Sequence, residues 1–252
     1  ISLTDPDARS MATSGRGTGM VGYNVQAAVD TEHHLIVEHE VVNEGHDRRQ
    51  LSPMAQRTKE TLGTQDLTVL ADRGYFSGEE ILKCEQAEIK ALVPKPMTSN
   101  STSSGRFDKR DFIYEPKRDR YRCPAGEHAT WRCSSVEKGM VIHKYWSSAC
   151  TKCPLRSACT TDHYRRINRW EHEDVVERMQ KRIDGMPQAG RLRRQTVEHT
   201  FGTLKSWMGA THFLTRTLPS VRTEMSLQVL AYNLKRVMQI LGVQPLIAAM
   251  RA

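Results

Sequence analysis

Five of the six cysteines, Cys123, Cys133, Cys150, Cys153 and Cys159, fall within one short interval, and that clustering divides the chain around it. Before it, short apolar runs rich in β-branched residues alternate with helical patterns. After it, long helical patterns stand alone. At 252 residues the chain can bury a real core, as one large domain or as one domain carrying an insertion. The change of composition across the cysteines favours the second arrangement: a small module set into a larger fold.

The first part reads as follows. "GYNVQAAVD" (22–30) and "HLIVEHEVV" (34–42), joined by the polar "TEH", predict a β-hairpin. "ISLTDPDA" predicts a strand before it, ended by Pro6, with "SMATSGRGTGM" as a Gly-rich connector. A helical pattern follows, with Asp47 as its possible cap. "DLTVLADRGYFS" is a short apolar strand, Leu67–Ala71, running into Asp72. "SGEEILKCEQAE" predicts a helix capped at Ser77, with Glu80 at the capping-box position. "KALVPKP" predicts one more strand. The order β, β, β, α, β, α, β implies an α/β fold, a mixed sheet with helices against it. Residues 1–96 then hold the first part of the core. Residues 97–164 hold a polar linker, "MTSNSTSSGRFDK" at 97–109, and the cysteine-rich insertion. Residues 165–252 are the helical part that completes the core. There is no internal repeat.

Charge separates the same regions. Net charge is +8, with 15 Lys/Arg against 7 Asp/Glu in residues 165–252 and 22 against 22 in residues 1–164. A basic excess confined to the last third suggests a polyanionic partner, nucleic acid being the commonest. No apolar run approaches the roughly 18–20 residues of a membrane span. No signal-peptide pattern opens the sequence, which reads as beginning inside a longer protein.

Within that basic third, "RRQTVEHTFGTLK" (193–205) predicts a helix that aligns Arg194, Glu198 and Lys205. Steps of about 100° per residue bring the three within roughly 40° of one another. Val197, Phe201, Leu204 and Met208 form an adjacent apolar stripe, which sets Glu198 at the edge of the buried face. An i,i+4 Arg–Glu pair also occurs simply as a solubilising feature. Read with Asp5 or Asp7 near the end of the first strand and Asp72 at the end of a later one, Glu198 gains a chemical use. Carboxylates from separated segments can hold divalent metals for in-line phosphoryl transfer, and Mg²⁺ favours such a site. Asp5 is preferred to Asp7 on the alternation of strand faces; Asp30 and Asp47 are rivals with turn and cap roles.

The cysteines carry a separate expectation. Cys150-x2-Cys153-x5-Cys159, with Cys123 upstream, offers four thiolates for a tetrahedral zinc site. Cys133 is a spare candidate, and His128 or His143 could replace a ligand. Without a secretion signal, clustered cysteines favour metal over disulfides. A redox pair and ordinary reduced thiols are the alternatives, and Cys84, in a predicted helix, suits a core position.

"TDPDA", "GYNVQAAVD", "VLADRGYFS", "RQTVEHTFGTLK", the "C-x2-C-P-L-R-x2-C" segment and "AYNLKR" together resemble bacterial insertion-sequence transposases of the DDE type. The resemblance implies an RNase H-like fold with an insertion before the last acid. It also implies Mg²⁺- or Mn²⁺-dependent cleavage and strand transfer on double-stranded DNA, at transposon ends and target, by a homo-oligomer in the bacterial cytoplasm or nucleoid. By motif, Asp72 resembles the second catalytic acid and Glu198 the third, with Asp5 the best match here for the first. In many relatives the first acid lies on a strand bearing Asp-Gly-Thr, well before a TDPDA-like segment; no such tripeptide occurs here. Arg194 and Lys205 match the Arg and Lys of the family's Y-R-E-K signature, implying contact with DNA phosphates. The Tyr position is Arg191, which could still meet phosphate. A related nuclease or resolvase, or a non-catalytic transposase-derived DNA-binding protein, are the competing readings; the long basic helix and the cysteine insertion argue against the resolvase.

Overall fold

The computed structural model describes residues 2–11, 19–96 and 104–251. Residues 12–18 of the Gly-rich connector and residues 97–103 of the Ser/Thr-rich linker fall outside them. The architecture is mixed α/β, with a curled antiparallel sheet and several helices. Contacts divide the chain into two compact units, Ile1–Lys95 with Val175–Ala252, and Pro96–Asp174.

In the first unit, β1 (Arg9–Met11) pairs antiparallel with β2 (Met20–Gly22). The strand expected over "ISLTDPDA" is instead a turn that precedes β1, held by Ala8 N–H donating to the Asp5 carbonyl at 3.3 Å. β3 (Asn24–Val29) and β4 (Ile36–Val42) form the predicted hairpin. β5 (Leu67–Leu70) and β6 (Ile89–Leu92) pair in parallel. α1 (Leu51–Leu62) runs between these pairs, and α2 (Gly78–Gln86) connects β5 to β6. Apolar alternation suffices to place these strands, but the caps follow tertiary contacts. α1 begins after Gln50, not Asp47. Ser77 makes no side-chain cap, and the buried Glu80 carboxylate accepts the Ser52 N–H at 3.0 Å, capping the first turn of α1 rather than its own helix.

The remaining helices of this unit are α3 (Glu173–Asp184), which begins at the unit boundary, α4 (residues 189–207), α5 (Leu218–Leu241) and α6 (Val243–Arg251). Both α1 and α5 pack on β4. Ile36 and Val41 of β4 form one core with Leu204 of α4 and Val221, Met225, Val229 and Tyr232 of α5. The α5 residues recur at helical spacing, so one stripe of a long helix closes over the hairpin.

The second unit is an antiparallel sheet of five strands in the order β11-β10-β9-β8-β7. They are β7 (Ile113–Glu115), β8 (Arg120–Arg122), β9 (His128–Glu137), β10 (Met140–Trp146) and β11 (Ile167–Trp170). Its core is small: Phe112, Tyr121, Ala129, Tyr145 and Ile167, with Cys123 and Cys159 packed against it. Among the described residues no helix is long and apolar enough to cross a membrane.

Candidate active site

Asp72 is separated from the end of β5 by Ala71 and opens a short turn, Arg73–Tyr75, whose Gly74 N–H donates to its Oδ1 at 2.7 Å. Gly74 sits between two acids. A Cβ there would lie 2.9 Å from Asp72 Oδ1 and 3.3 Å from Asp47 Oδ2. Asp47 is anchored from β3, accepting from Asn24 Nδ2 at 2.7 Å and Gln26 Nε2 at 2.8 Å. The Tyr75 hydroxyl donates to Gln26 Oε1. Burial raises the Tyr75 phenol well above its ordinary value, and the Asp47 and Asp72 carboxylates add to the rise, against the pull of Arg193. The corner is thus one electrostatic unit of two carboxylates, a protonated tyrosine and an arginine. In sequence Asp47 has a cap-like setting, which hides its place beside Asp72; the turn residues of "NEGHD" are the only signal that it leaves the helix.

Glu198 stands on α4, whose geometry departs from the α-helix expected. Ala189–Arg193 and His199–Gly202 are α-helical, but Arg194–Glu198 and Thr203–Trp207 are π-helical. Wider turns bring residues five apart nearer to one another than an α-helix does. The ion-pair partner of Glu198 is Arg193, at 3.4 Å, rather than Arg194. Threonine hydroxyls offer a cause. Thr196 donates to the Leu192 carbonyl at 2.9 Å, Thr200 to Thr196 at 3.0 Å and Thr203 to His199 at 3.0 Å. Such back-bonding takes up i−4 carbonyls and deforms helices, and π turns gather at functional sites. The buried line is Thr196, Thr200 and Leu204; Phe201 and Met208 flank the core and Val197 faces a cavity. Arg191, Arg194 and Lys205 are all exposed, and the Lys205 ammonium lies 5.9 Å from the centre of the Phe201 ring.

Asp5 has a different setting. Its Oδ2 accepts the Tyr23 hydroxyl at 2.7 Å and the Thr217 N–H at 3.3 Å, and Oδ1 accepts the Asp7 N–H at 3.1 Å. Asp7 Oδ2 in turn accepts the Leu218 N–H at 2.9 Å. The two acids cap the N-terminus of α5, which has no acidic residue in its own first turn. Burial would raise the Asp5 carboxyl, but the bonds from Tyr23 and the backbone hold it below the ordinary carboxylate range. Asp30 likewise serves its turn, accepting the His33 N–H. Among the described residues, Asp5, Asp72 and Glu198 do not form a group of three set to hold a metal, and neither does any other set of His, Cys, Asp or Glu. Asp5, expected to join the other two, is placed instead at the N-terminus of α5.

A cavity of about 520 Å³ lies beside Asp72. Ala27, Ala28 and Val29 of β3 and Leu67 to Leu70 of β5 line it, with residues of α1 and with Leu192, Arg193, Thr196 and Val197 of α4. Successive rather than alternate strand residues face it, so it meets strand edges and not one sheet face. β3 pairs only with β4, and β5 only with β6, among the described residues.

The cysteines sort as follows. Cys123, Cys150, Cys153 and Cys159 all line one small cavity of the second unit. Burial raises the Cys159 thiol, Arg165 opposes this, and Cys150, Cys123 and Cys153 are near enough to add to the rise. All six cysteines are free thiols. Cys133 is exposed, His143 bonds Ser134 and His128 faces Glu115. Cys84 is fully buried, and burial pushes its thiol up to about 12.

Residues 122–238 match the family described as the transposase DDE domain. The match supports a DDE transposase, a class of enzyme that acts on DNA and generally uses divalent metals. It covers a little under half of the chain, taking in Glu198, Arg191, Arg194, Lys205 and the cysteine cavity but not Asp5 or Asp72. No curated protein and no solved structure matches the chain.

Proposed function

We propose that the chain carries the catalytic core of an insertion-sequence transposase, with Asp72 and Glu198 as two of its three metal-binding acids. The observation that carries this reading is Arg193. It pairs with Glu198, lines the cavity beside Asp72 and acts on Tyr75. One guanidinium thereby links the acid of α4 to the cavity that Asp72 also lines, although 126 positions separate the two acids in sequence.

The donor set suits Mg²⁺ or Mn²⁺, hard ions held by few carboxylates together with water and substrate phosphate. When bound, such ions activate the attacking oxygen and stabilise the leaving oxygen of a phosphodiester. Asp72 is preset for this by the Gly74 N–H, which fixes one carboxylate oxygen and leaves the other available. Glu198, exposed and held among the described residues by Arg193 alone, can exchange that partner for a cation. Arg191, Arg194 and Lys205 are the residues proposed to meet DNA phosphates.

The first acid belongs, in this reading, to a further strand seated between β3 and β5. Two open strand edges flank one apolar cavity, with helices lining it as well. A strand there would join the antiparallel pair β4-β3 to the parallel pair β5-β6 in one mixed sheet, the RNase H-like arrangement. Its end would lie beside Asp72, whereas Asp5 is occupied in capping α5.

The test is a cleavage assay on the full-length protein with Mg²⁺ or Mn²⁺ and transposon-end DNA. Asp72→Asn and Glu198→Gln are each expected to lower cleavage and strand transfer by a factor of a thousand or more, in keeping with lost charge stabilisation of a transition state (about 10²–10³ per group or greater). DNA binding should persist. Normal cleavage by Asp72→Asn would make Asp72 a turn residue and overturn the proposal.

A further inference from the structure

Four cysteines that the cleavage reading leaves unused surround a single cavity of the second unit. Phe107 and Phe112 line it too, and it measures about 30 Å³, room for one small occupant. Each of the four stands at a turn. The Gly126 N–H donates to the Cys123 carbonyl at 2.9 Å, Cys153 N–H to Cys150 at 3.3 Å and Cys159 N–H to Arg156 at 3.0 Å. Turns of this kind let a C-x2-C pair present both sulfurs to one side.

A charge points the same way. Arg165 lines the cavity and its Nη1 reaches the Cys159 carbonyl at 3.5 Å, yet its Nε is buried with no hydrogen-bond partner. A buried guanidinium N–H without an acceptor is costly. Among the residues lining the cavity, those that can become anionic acceptors are the four thiols. The unit is also short of apolar core, and Cys123 and Cys159 already pack against what there is.

We propose that Cys123, Cys150, Cys153 and Cys159 bind one structural zinc ion as a tetrathiolate, with Arg165 donating to the sulfur shell. Binding releases four thiol protons and forms four Zn–S bonds, leaving a net charge of −2 that the Arg165 guanidinium partly offsets. No three of these side chains are already set to hold a metal, so binding draws the sulfurs inward to the Zn–S distance of about 2.3 Å. The ion cross-links the turn at Cys123 to the segment carrying the other three thiols and does for this unit what a larger core does elsewhere. This site is independent of the cleavage reading and stands or falls without it.

The experiment uses the whole chain, purified under reducing conditions and analysed for metal. One zinc per chain is expected. Replacement by Co²⁺ should give thiolate-to-cobalt charge-transfer absorption with tetrahedral d–d bands. Cys150→Ser and Cys123→Ser should lose both, Cys159→His should retain the metal, and Cys133→Ser should match the parent. Arg165→Met should weaken zinc binding by roughly tenfold to a hundredfold, as loss of a group that supports the ligands does. Should the serine variants fail to fold, the parent chain stripped with a chelator gives the same answer. Its residues 96–174 should become sensitive to protease and regain protection on adding Zn²⁺. Absence of stoichiometric zinc, or a cobalt spectrum without sulfur ligation, would each overturn the proposal.

Discussion

Asp5 and Asp7 illustrate how a residue's role is set by a partner that local pattern cannot reveal. "TDPDA" reads as a strand end with two acids, and one of them resembles a catalytic residue. The groups that claim them, the N–H of Thr217 and of Leu218, lie more than two hundred positions away. Asp72 was legible because its setting rests on a local event, a strand running into a glycine turn. Asp47 was not, because Asn24, Gln26 and Gly74 come to it from other elements. The Asp5 assignment has a pH signature. Its carboxyl titrates below the ordinary value in the folded chain, so the ionised form stabilises the fold. That contribution is complete above the ordinary carboxylate value near 3.8 and is lost as pH falls through the lower folded value. Asp5→Asn should therefore lower Tm at neutral pH, and the gap to the parent should narrow as both are acidified below pH 3.8. Thermal melts of the two proteins across that range check it; a gap independent of pH would remove charge from the explanation.

The elements that could be read from sequence are those whose apolar residues repeat with one period. β3, β4, β5, α1 and α5 all lie close to where alternation or helical spacing puts them. α4 could be recognised as a helix, but its angular bookkeeping could not, because 100° per residue fails across two π segments. The result is a change of partner for Glu198 from Arg194 to Arg193. The threonine hydroxyls are the feature to test. Thr200 is wholly buried, donates to the Thr196 carbonyl and lies 3.2 Å from the Tyr232 hydroxyl, which itself donates to His34. Thr200→Val keeps the volume and removes the hydroxyl. It should cost about 1–2 kcal/mol, the usual range for losing a buried hydrogen bond, measured by denaturant unfolding. Glu198 should then pair more often with Arg194, as a regular α-helix would have it. A double-mutant cycle of Glu198 against each arginine, run in the Thr200→Val background, reads that exchange directly.

At the scale of the whole molecule, charge distribution links the family match to a measurable property. The excess of cations lies in residues 165–252, and the match extends over most of that region. Several cations there are already engaged: Arg182 pairs with Glu85, Arg193 with Glu198 and Arg222 with Glu40. Arg191, Arg194 and Lys205 are exposed on one helix, and Lys205 leans over Phe201 rather than onto a carboxylate. If these three meet phosphates, each displaces a condensed counterion when DNA binds. The logarithm of the binding constant then falls with the logarithm of salt by roughly 0.9 per contact. Replacing one of them with alanine should reduce that slope by about 1, and replacing all three by about 3. The weakening should be nearly uniform across DNA sequences, because phosphate contacts carry no base information. Lys90→Ala is the matched control. It is also exposed but pairs with Asp66 in the charge-balanced first part of the chain, and its slope should equal the parent's. Titrations on duplex DNA at several salt concentrations separate the outcomes. Equal slopes for the parent and the triple variant would confine these cations to solvating α4, and the DNA-binding surface would have to be sought elsewhere in the basic third.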